Sequence, residues 1–157
     1  MTIASPVAPF RRTATDQVPL GNTGATVSRI GIGTGSDGGS VQREMGQEGF
    51  TRLIRYAYDL GINFIDTADM YHTHEMVGSA IQGLPRESLF LQTKMQWDAP
   101  TIPEKPLEVI DRYLRELGVD YLDSLLLHCV TKPTWDTDLE PMMEAYDKAQ
   151  EIGRAHV

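Results

Sequence analysis

The sequence predicts an α/β fold in which helices cover a parallel β-sheet, and three observations carry that expectation. Strand-like and helix-like segments alternate from about residue 30 to residue 150. The strand-like segments ("RIGIGTG", "INFID", "LFLQTK", "YLDSLLLH") are nearly continuous in apolar residues, as expected when both faces of a sheet are buried. No linker or low-complexity tract interrupts the 157 residues, a length that suits one domain with a sizeable core. Two architectures share this pattern: an open doubly wound sheet and a (β/α)8 barrel.

Residues 1–16 read as a loosely ordered tail. In "VPLGNTGATVSRI" two short apolar runs flank Gly21-Asn22-Thr23-Gly24, which reads as a β-hairpin. "RIGIGTG" then reads as a strand and "QEGFTRLIRYAYDLG" as a helix. Its apolar positions Phe50, Leu53, Ile54, Ala57 and Leu60 follow helical spacing, and Gly61 can cap the end. "INFID" is a strand, "HEMVGSAIQG" a short helix and "LFLQTK" a strand. "KPLEVIDRYLRELG" is helical. Pro106 suits its first turn, Leu107, Ile110, Leu114 and Leu117 share a face, Glu108–Arg112 and Asp111–Arg115 are i,i+4 pairs, and Gly118 ends it. "YLDSLLLH" is a fourth strand, and "LEPMMEAYDKAQ" the helix after it.

Net charge is −8 and the pI about 4.9, with no basic cluster beyond Arg11–Arg12. These values argue against nucleic acid and anionic membranes as partners. The twin arginines are followed by "TATDQVPLGNTG" rather than the apolar stretch of an export signal. No run approaches the length of a membrane span. Cys129 is the single cysteine, so no internal disulfide can form, and a cytoplasmic, reducing setting is expected.

Gly33-Thr34-Gly35-Ser36-Asp37-Gly38 fits G-x-G-x-x-G after a strand, the spacing of a dinucleotide loop. The motif should open a helix at once, yet "GSVQREMGQEG" carries two further internal glycines before helical periodicity is clear. A plain connecting loop is the favoured reading.

The strand ends are more informative. "INFI" ends in Asp66, "LFLQT" in Lys94 and "DSLLL" in His128. Any one of these is explained by strand ends meeting solvent. Together they place three ionisable groups at one face of a parallel sheet, where barrel enzymes assemble active sites from several strands. Tyr71 lies five residues past Asp66. With its flanks "FIDTADMY…E..VG", "LFLQTK" and "DYLDSLLLH", this set resembles the aldo-keto reductases, which carry Asp, Tyr, Lys and His at barrel strand ends in that chain order. The hairpin and "RIGIGTG" also resemble the segment with which that family opens, plugging the barrel floor. The resemblance runs from about Val18 to Gln150. It implies a (β/α)8 fold of which residues 17–151 supply the amino-terminal hairpin and four strand–helix units. It also implies reduction of a small aldehyde or ketone with hydride from NADP(H), or NAD(H), and contact of Gly33, Thr34 and Asp66 with the cofactor's nicotinamide side.

The chemistry agrees with elementary considerations. A carbonyl receiving hydride needs a proton for the developing alkoxide, and Tyr71 can donate one. A cation within roughly 4–6 Å stabilises a phenolate; Lys94 is the candidate, and Asp66 can hold Lys94 charged and in place. His128 can hydrogen-bond and polarise the substrate carbonyl.

Asp69 is expected to be solvated, and Glu75 to favour a helix N-terminus. His72 departs from the small or amide residue that often follows the tyrosine in the family, which leaves substrate preference open. His72-x-His74 offers a competing reading, a metal-dependent barrel hydrolase. The pair lies six to eight residues beyond the strand end, which disfavours a metal. Trp97 either walls the substrate pocket or sits on a surface loop.

A complete barrel of this type takes about 250 residues. The chain is therefore expected to be an incomplete fragment of low activity that self-associates, or a non-catalytic half-barrel. In the family the helix after the fourth strand ends in Gly-Lys-Ile-Arg and a fifth strand follows; Gly153-Arg154 echoes this faintly. Residues 152–157 are read as a non-native tail.

Overall fold

The computed structural model describes residues 12–96, 104–131 and 133–156. Strands β1 (Gln17–Pro19) and β2 (Thr26–Ser28) form an antiparallel hairpin with Val18 opposite Val27. The turn is made by Gly21 and Gly24, both at positive φ. The chain then alternates: β3 (Ile32–Gly33), α1 (Ser40–Asp59), β4 (Phe64–Asp66), α2 (His74–Ile81), β5 (Phe90–Met95), α3 (Pro106–Leu117), β6 (Ser124–Leu127), a single turn α4 (Trp135–Asp138), and α5 (Glu140–Glu151). Strands β3-β4-β5-β6 form one parallel sheet in chain order.

The hairpin is fastened under the sheet. Ser28 N–H donates to Asn63 Oδ1 at 2.7 Å, Asn63 N–H donates back to Ser28 Oγ at 3.1 Å, and the Gln17 side chain donates to the Gly61 carbonyl. These bonds meet β4 at its amino-terminal end and leave the carboxyl ends of the strands uncovered. The described chain begins before β1. Residues 13–16 form a turn whose Asp16 and Ala14 carbonyls accept from Arg29 and Ile30, so order reaches into the segment read as a tail.

Alternation along each strand sets two faces. Ile65, Leu91, Met95 and Leu125 point toward the helices and pack with Phe50, Ile54, Val77, Ile110 and Leu114 in the main core. Phe64, Asp66, Phe90, Gln92, Lys94, Ser124 and Leu126 point the other way. There Phe64 and Phe90 meet edge-on with ring centroids 5.0 Å apart, while Leu126 is 40% exposed.

Three local expectations are corrected. Helix α1 opens at Ser40, directly after the glycine-rich turn, and is interrupted at Gly46 (φ 72°). The internal glycines mask a helix rather than delay it. The buried stripes are also narrower than the spacing suggests. Leu53, Leu60 and Leu107 are exposed, and Tyr113 joins Ile110, Leu114 and Leu117 in the core. Helix α1 is flanked by α2 on one side only among the described residues, so its outer apolar edge stays uncovered. Finally, the ion pairs of α3 are not the expected Glu108–Arg112 and Asp111–Arg115: Arg112 pairs with Asp69 and, along the helix, with Glu116, while Asp111 pairs with Arg154. A fixed tertiary partner outweighs an exposed i,i+4 pair of a few tenths of a kcal/mol.

At the close of α5, Ala155 bridges to Leu122 in parallel fashion, with Leu122 N–H donating to the Arg154 carbonyl at 2.9 Å. Residues 154–156 of the segment read as a non-native tail therefore pair beside Leu122, just ahead of β6.

Helices α2 and α3 cross at Gly78, where a Cβ would meet the Leu117 and Glu116 carbonyls at 2.7 and 2.8 Å. Gly78→Ala should lower stability by about 1–3 kcal/mol despite alanine's better helix propensity. Denaturant unfolding checks this, and an unchanged midpoint would contradict the close crossing.

Candidate active site

Parallel pairing puts Asp66 opposite Gln92 and Lys94 opposite Leu126. Lys94 is two residues beyond Gln92 on the same face, so its side chain leans across the mouth of the sheet to β4. Its Nζ lies 2.7 Å from both Asp66 carboxylate oxygens and 2.9 Å from the Thr67 carbonyl. Gln92 donates to Asp66 Oδ1 at 2.7 Å. Gln92 was not singled out from the sequence, although period-two alternation from Lys94 was enough to place it on this face.

Tyr71 ends a 3-10 turn, Asp69–Tyr71, just past β4. Lys94 Nζ lies over its ring, 5.2 Å from the centroid. The His128 ring meets it edge-on at 5.5 Å and 89°, and the His128 N–H is anchored to the Met95 carbonyl. The four strand-end candidates therefore meet at one mouth. The glycine-rich loop shapes this place. Gly35 lies against the Tyr71 ring so closely that a Cβ would overlap it, and Gly39 leaves equally little room beside the Tyr71 carbonyl. Arg43 donates to the carbonyls of Gly38 and Tyr71, the former at 3.1 Å.

Gly33 pairs with Asp66, is exposed, and has open space where a Cβ would stand. Thr34 differs: it is fully buried, and its hydroxyl shares a hydrogen bond with Thr73 at 2.9 Å. Thr73 in turn bonds Thr67 at 3.0 Å. The Thr34 side chain thus ties the ends of β3 and β4 to the start of α2 and does not face the mouth.

The remaining polar residues divide sharply. His72 sits in the left-handed conformation (φ 53°) and is exposed. His74 is buried, with Nδ1 2.8 Å from Glu116 and Nε2 2.8 Å from Thr93. Because a carboxylate only accepts, Nδ1 carries the proton and Nε2 accepts from Thr93. No ring nitrogen is left for a metal, so the two histidines do not act as a pair. Asp69, expected to be solvated, receives Arg112 at 2.8 and 3.0 Å and the Tyr113 hydroxyl at 2.9 Å. Burial opposes its charge, but the bonds from Arg112 and Tyr113 prevail and hold the carboxyl below its ordinary range. Ligand atoms of Asp69, His74 and Glu116 lie within 4.8 Å of one another. Arg112 already bridges the two carboxylates, which makes the group an ion-pair network. Glu75 stands in the first turn of α2. Trp97 lies outside the described residues.

The aldo/keto reductase family model matches residues 29–156, with Asp66, Tyr71, Lys94 and His128 all inside the match. The chain belongs to the aldo/keto reductase family. It is 28% identical to the NADH-specific methylglyoxal reductase of Escherichia coli K12 over 160 residues, covering 88% of this chain and 49% of that protein. With the glycerol 2-dehydrogenase (NADP(+)) of Saccharomyces cerevisiae it shares 34% over 133 residues, 83% of this chain and 36% of the relative. A solved aldo/keto reductase of Klebsiella pneumoniae, in complex with NADP and acetate, superposes with a TM-score of 0.64 at 34% identity, over 83% of this chain and 44% of that one. The chain thus spans about half or less of the length of these relatives. Such reductases are (β/α)8 barrels, and the four-stranded sheet with its helices is part of that fold.

Burial is the main influence on His74 and pushes its pKa below the ordinary value, with the Glu116 bond opposing. Below about pH 6.5 the unfolded chain takes up a proton that folded His74 resists, so stability falls with pH from there down to the depressed value. Thermal melts from pH 8 to 5 should show this decline, and His74→Gln should flatten it. An equal slope in the variant would contradict the assignment.

Proposed function

We propose that this chain carries the proton-handling half of an NADP(H)-dependent carbonyl reductase acting on a small aldehyde or ketone. The observation that carries the reading is the Lys94 ammonium held by both Asp66 oxygens beneath the Tyr71 ring, with His128 edge-on to that ring. The relatives' names, including an NADP-dependent and an NADH-specific enzyme, support the reaction class and leave NAD(H) as the alternative donor. The open floor at Gly33 beside Asp66 suits the flat face of a nicotinamide. A bound nicotinamide supplies the hydride. Gly33 and Asp66 border its place, and Thr34 contributes through its backbone because its side chain faces away.

Tyr71 donates the proton to the developing alkoxide. Lys94 stabilises the phenolate left behind, Asp66 fixes the ammonium, and His128 orients the carbonyl oxygen. Nothing in these roles requires a metal. No helix among the described residues is long and apolar enough to cross a membrane; the cytoplasmic setting is proposed from the single cysteine.

A second reading concerns the 157 residues by themselves. Leu126 on the inner sheet face, and Leu53, Tyr56 and Leu60 along α1, are exposed. We propose that residues 17–151 act as an amino-terminal half-barrel which self-associates when alone and turns over poorly, because positioning of the hydride donor is incomplete.

In a chain carrying both barrel halves, Tyr71→Phe should lower kcat by about 10²–10⁴-fold with cofactor affinity nearly unchanged, whereas His72→Ala should matter far less. Carbonyl reduction at the parent rate by the Tyr71→Phe enzyme would exclude the proton-donor role. Residues 1–157 alone should sediment as oligomers and reduce a simple aldehyde poorly; a monomer with ordinary reductase turnover would overturn the half-barrel reading.

A further inference from the structure

We infer that Arg112, on the helical side of the sheet, is a positioning residue for Tyr71: it locks the turn that presents the phenol to the strand that carries Lys94. The inference deepens the proposed reductase site and rests on that reading for its functional meaning.

The geometry has two arms. One guanidinium nitrogen takes both oxygens of Asp69 at 2.8 and 3.0 Å, and Asp69 opens the same three-residue turn that Tyr71 closes. The other nitrogen donates to Glu116 Oε1 at 2.8 Å. Glu116 accepts from His74 with its second oxygen, and His74 accepts from Thr93, the residue before Lys94 on β5. Every distance in that second arm is 2.8 Å. Tyr113 reinforces the first arm with a 2.9 Å bond to Asp69, its ring lying 4.9 Å under the guanidinium.

The alternation of β5 gives the second arm its meaning. Thr93 faces the helices and Lys94 the mouth, so fixing Thr93 from behind fixes the strand from which Lys94 projects. The planar fork of Arg112 is suited to join two carboxylates at set angles; an ammonium would act as a point charge without that fork. On the mouth side Tyr71 is held by the thin packing of Gly35 and by Arg43 on its carbonyl. Lys94 of β5 also lies against the Tyr71 ring from that side; the Arg112 network adds a tie between the Tyr71 turn and β5 from the helical side.

The test uses residues 1–157 with selectively labelled Tyr, His and Phe, and reads proton–proton NOEs between rings. This readout needs no reductase activity, so it separates the positioning role from the reductase assignment. The parent should show a Tyr71–His128 contact and a Phe64–Phe90 contact, from centroid separations of 5.5 and 5.0 Å. In Arg112→Gln the first should vanish while the second persists, and Asp69→Asn should give the same signature by cutting the arm to the turn. A Tyr71–His128 contact intact in both variants would overturn the inference. Loss of both contacts in both variants would overturn it as well, by making Arg112 a general support of the fold.

Discussion

An ammonium whose side chain is only 15% exposed must find its counter-charge and hydrogen-bond acceptors where it sits, because leaving it unpaired in such a place is costly. Lys94 meets this need with the two Asp66 oxygens and the Thr67 carbonyl, three acceptors for its three N–H groups. All three come from the end of the neighbouring strand. The parallel register of β4 and β5 is therefore an electrostatic requirement as well as a packing solution. A one-residue slip would turn Lys94 toward the apolar core between sheet and helices.

The rest of the mouth follows from that pair. With Lys94 fixed, the Tyr71 turn has a cation to lie against, and His128 closes the group from the next strand. The glycine-rich loop that resembled a dinucleotide motif contributes by being small. Gly35 and Gly39 let β3 and the start of α1 approach the tyrosine where any side chain would collide. Behind the sheet, the three threonines and the Arg112 network fix loop and strand ends from the helical side. Polar groups thus occupy both faces of the strand ends, Asp66, Lys94, Tyr71 and His128 on the mouth side and the threonines with the Arg112 network behind.

Much of this was legible in the sequence, and the limits are physical. The parallel α/β class and the meeting of Asp66, Lys94 and His128 could be read because parallel strands align their ends and three successive ends carry an ionisable residue; Tyr71 followed from its place five residues past Asp66. The contacts of Gln92, Arg112 and Tyr113 with Asp66 and Asp69 were not marked. Gln92 needed strand alternation to be followed past the charged residue. For Arg112, sequence spacing points to local partners (it does pair with Glu116 four residues on, not with Glu108) and hides Asp69, 43 positions away. His74 looked like half of a metal pair because spacing does not reveal that one histidine turns inward and its neighbour outward. The exposed Leu53, Leu60 and Leu107 show the same limit: helical periodicity locates an apolar stripe, and only the neighbouring elements decide how much of it is covered.

We propose that Asp66 acts through Lys94 as one unit, and a double-mutant cycle measures that coupling. In a reductase that carries both barrel halves, kcat/KM would be measured for Asp66→Asn, Lys94→Met and the double variant. If the carboxylate serves chiefly to hold the ammonium, each single change should be severe and the double variant hardly worse than the worse single, a coupling beyond the roughly 0.5 kcal/mol scatter of independent sites. Losses that simply add would contradict the account, because they would show the two residues acting separately.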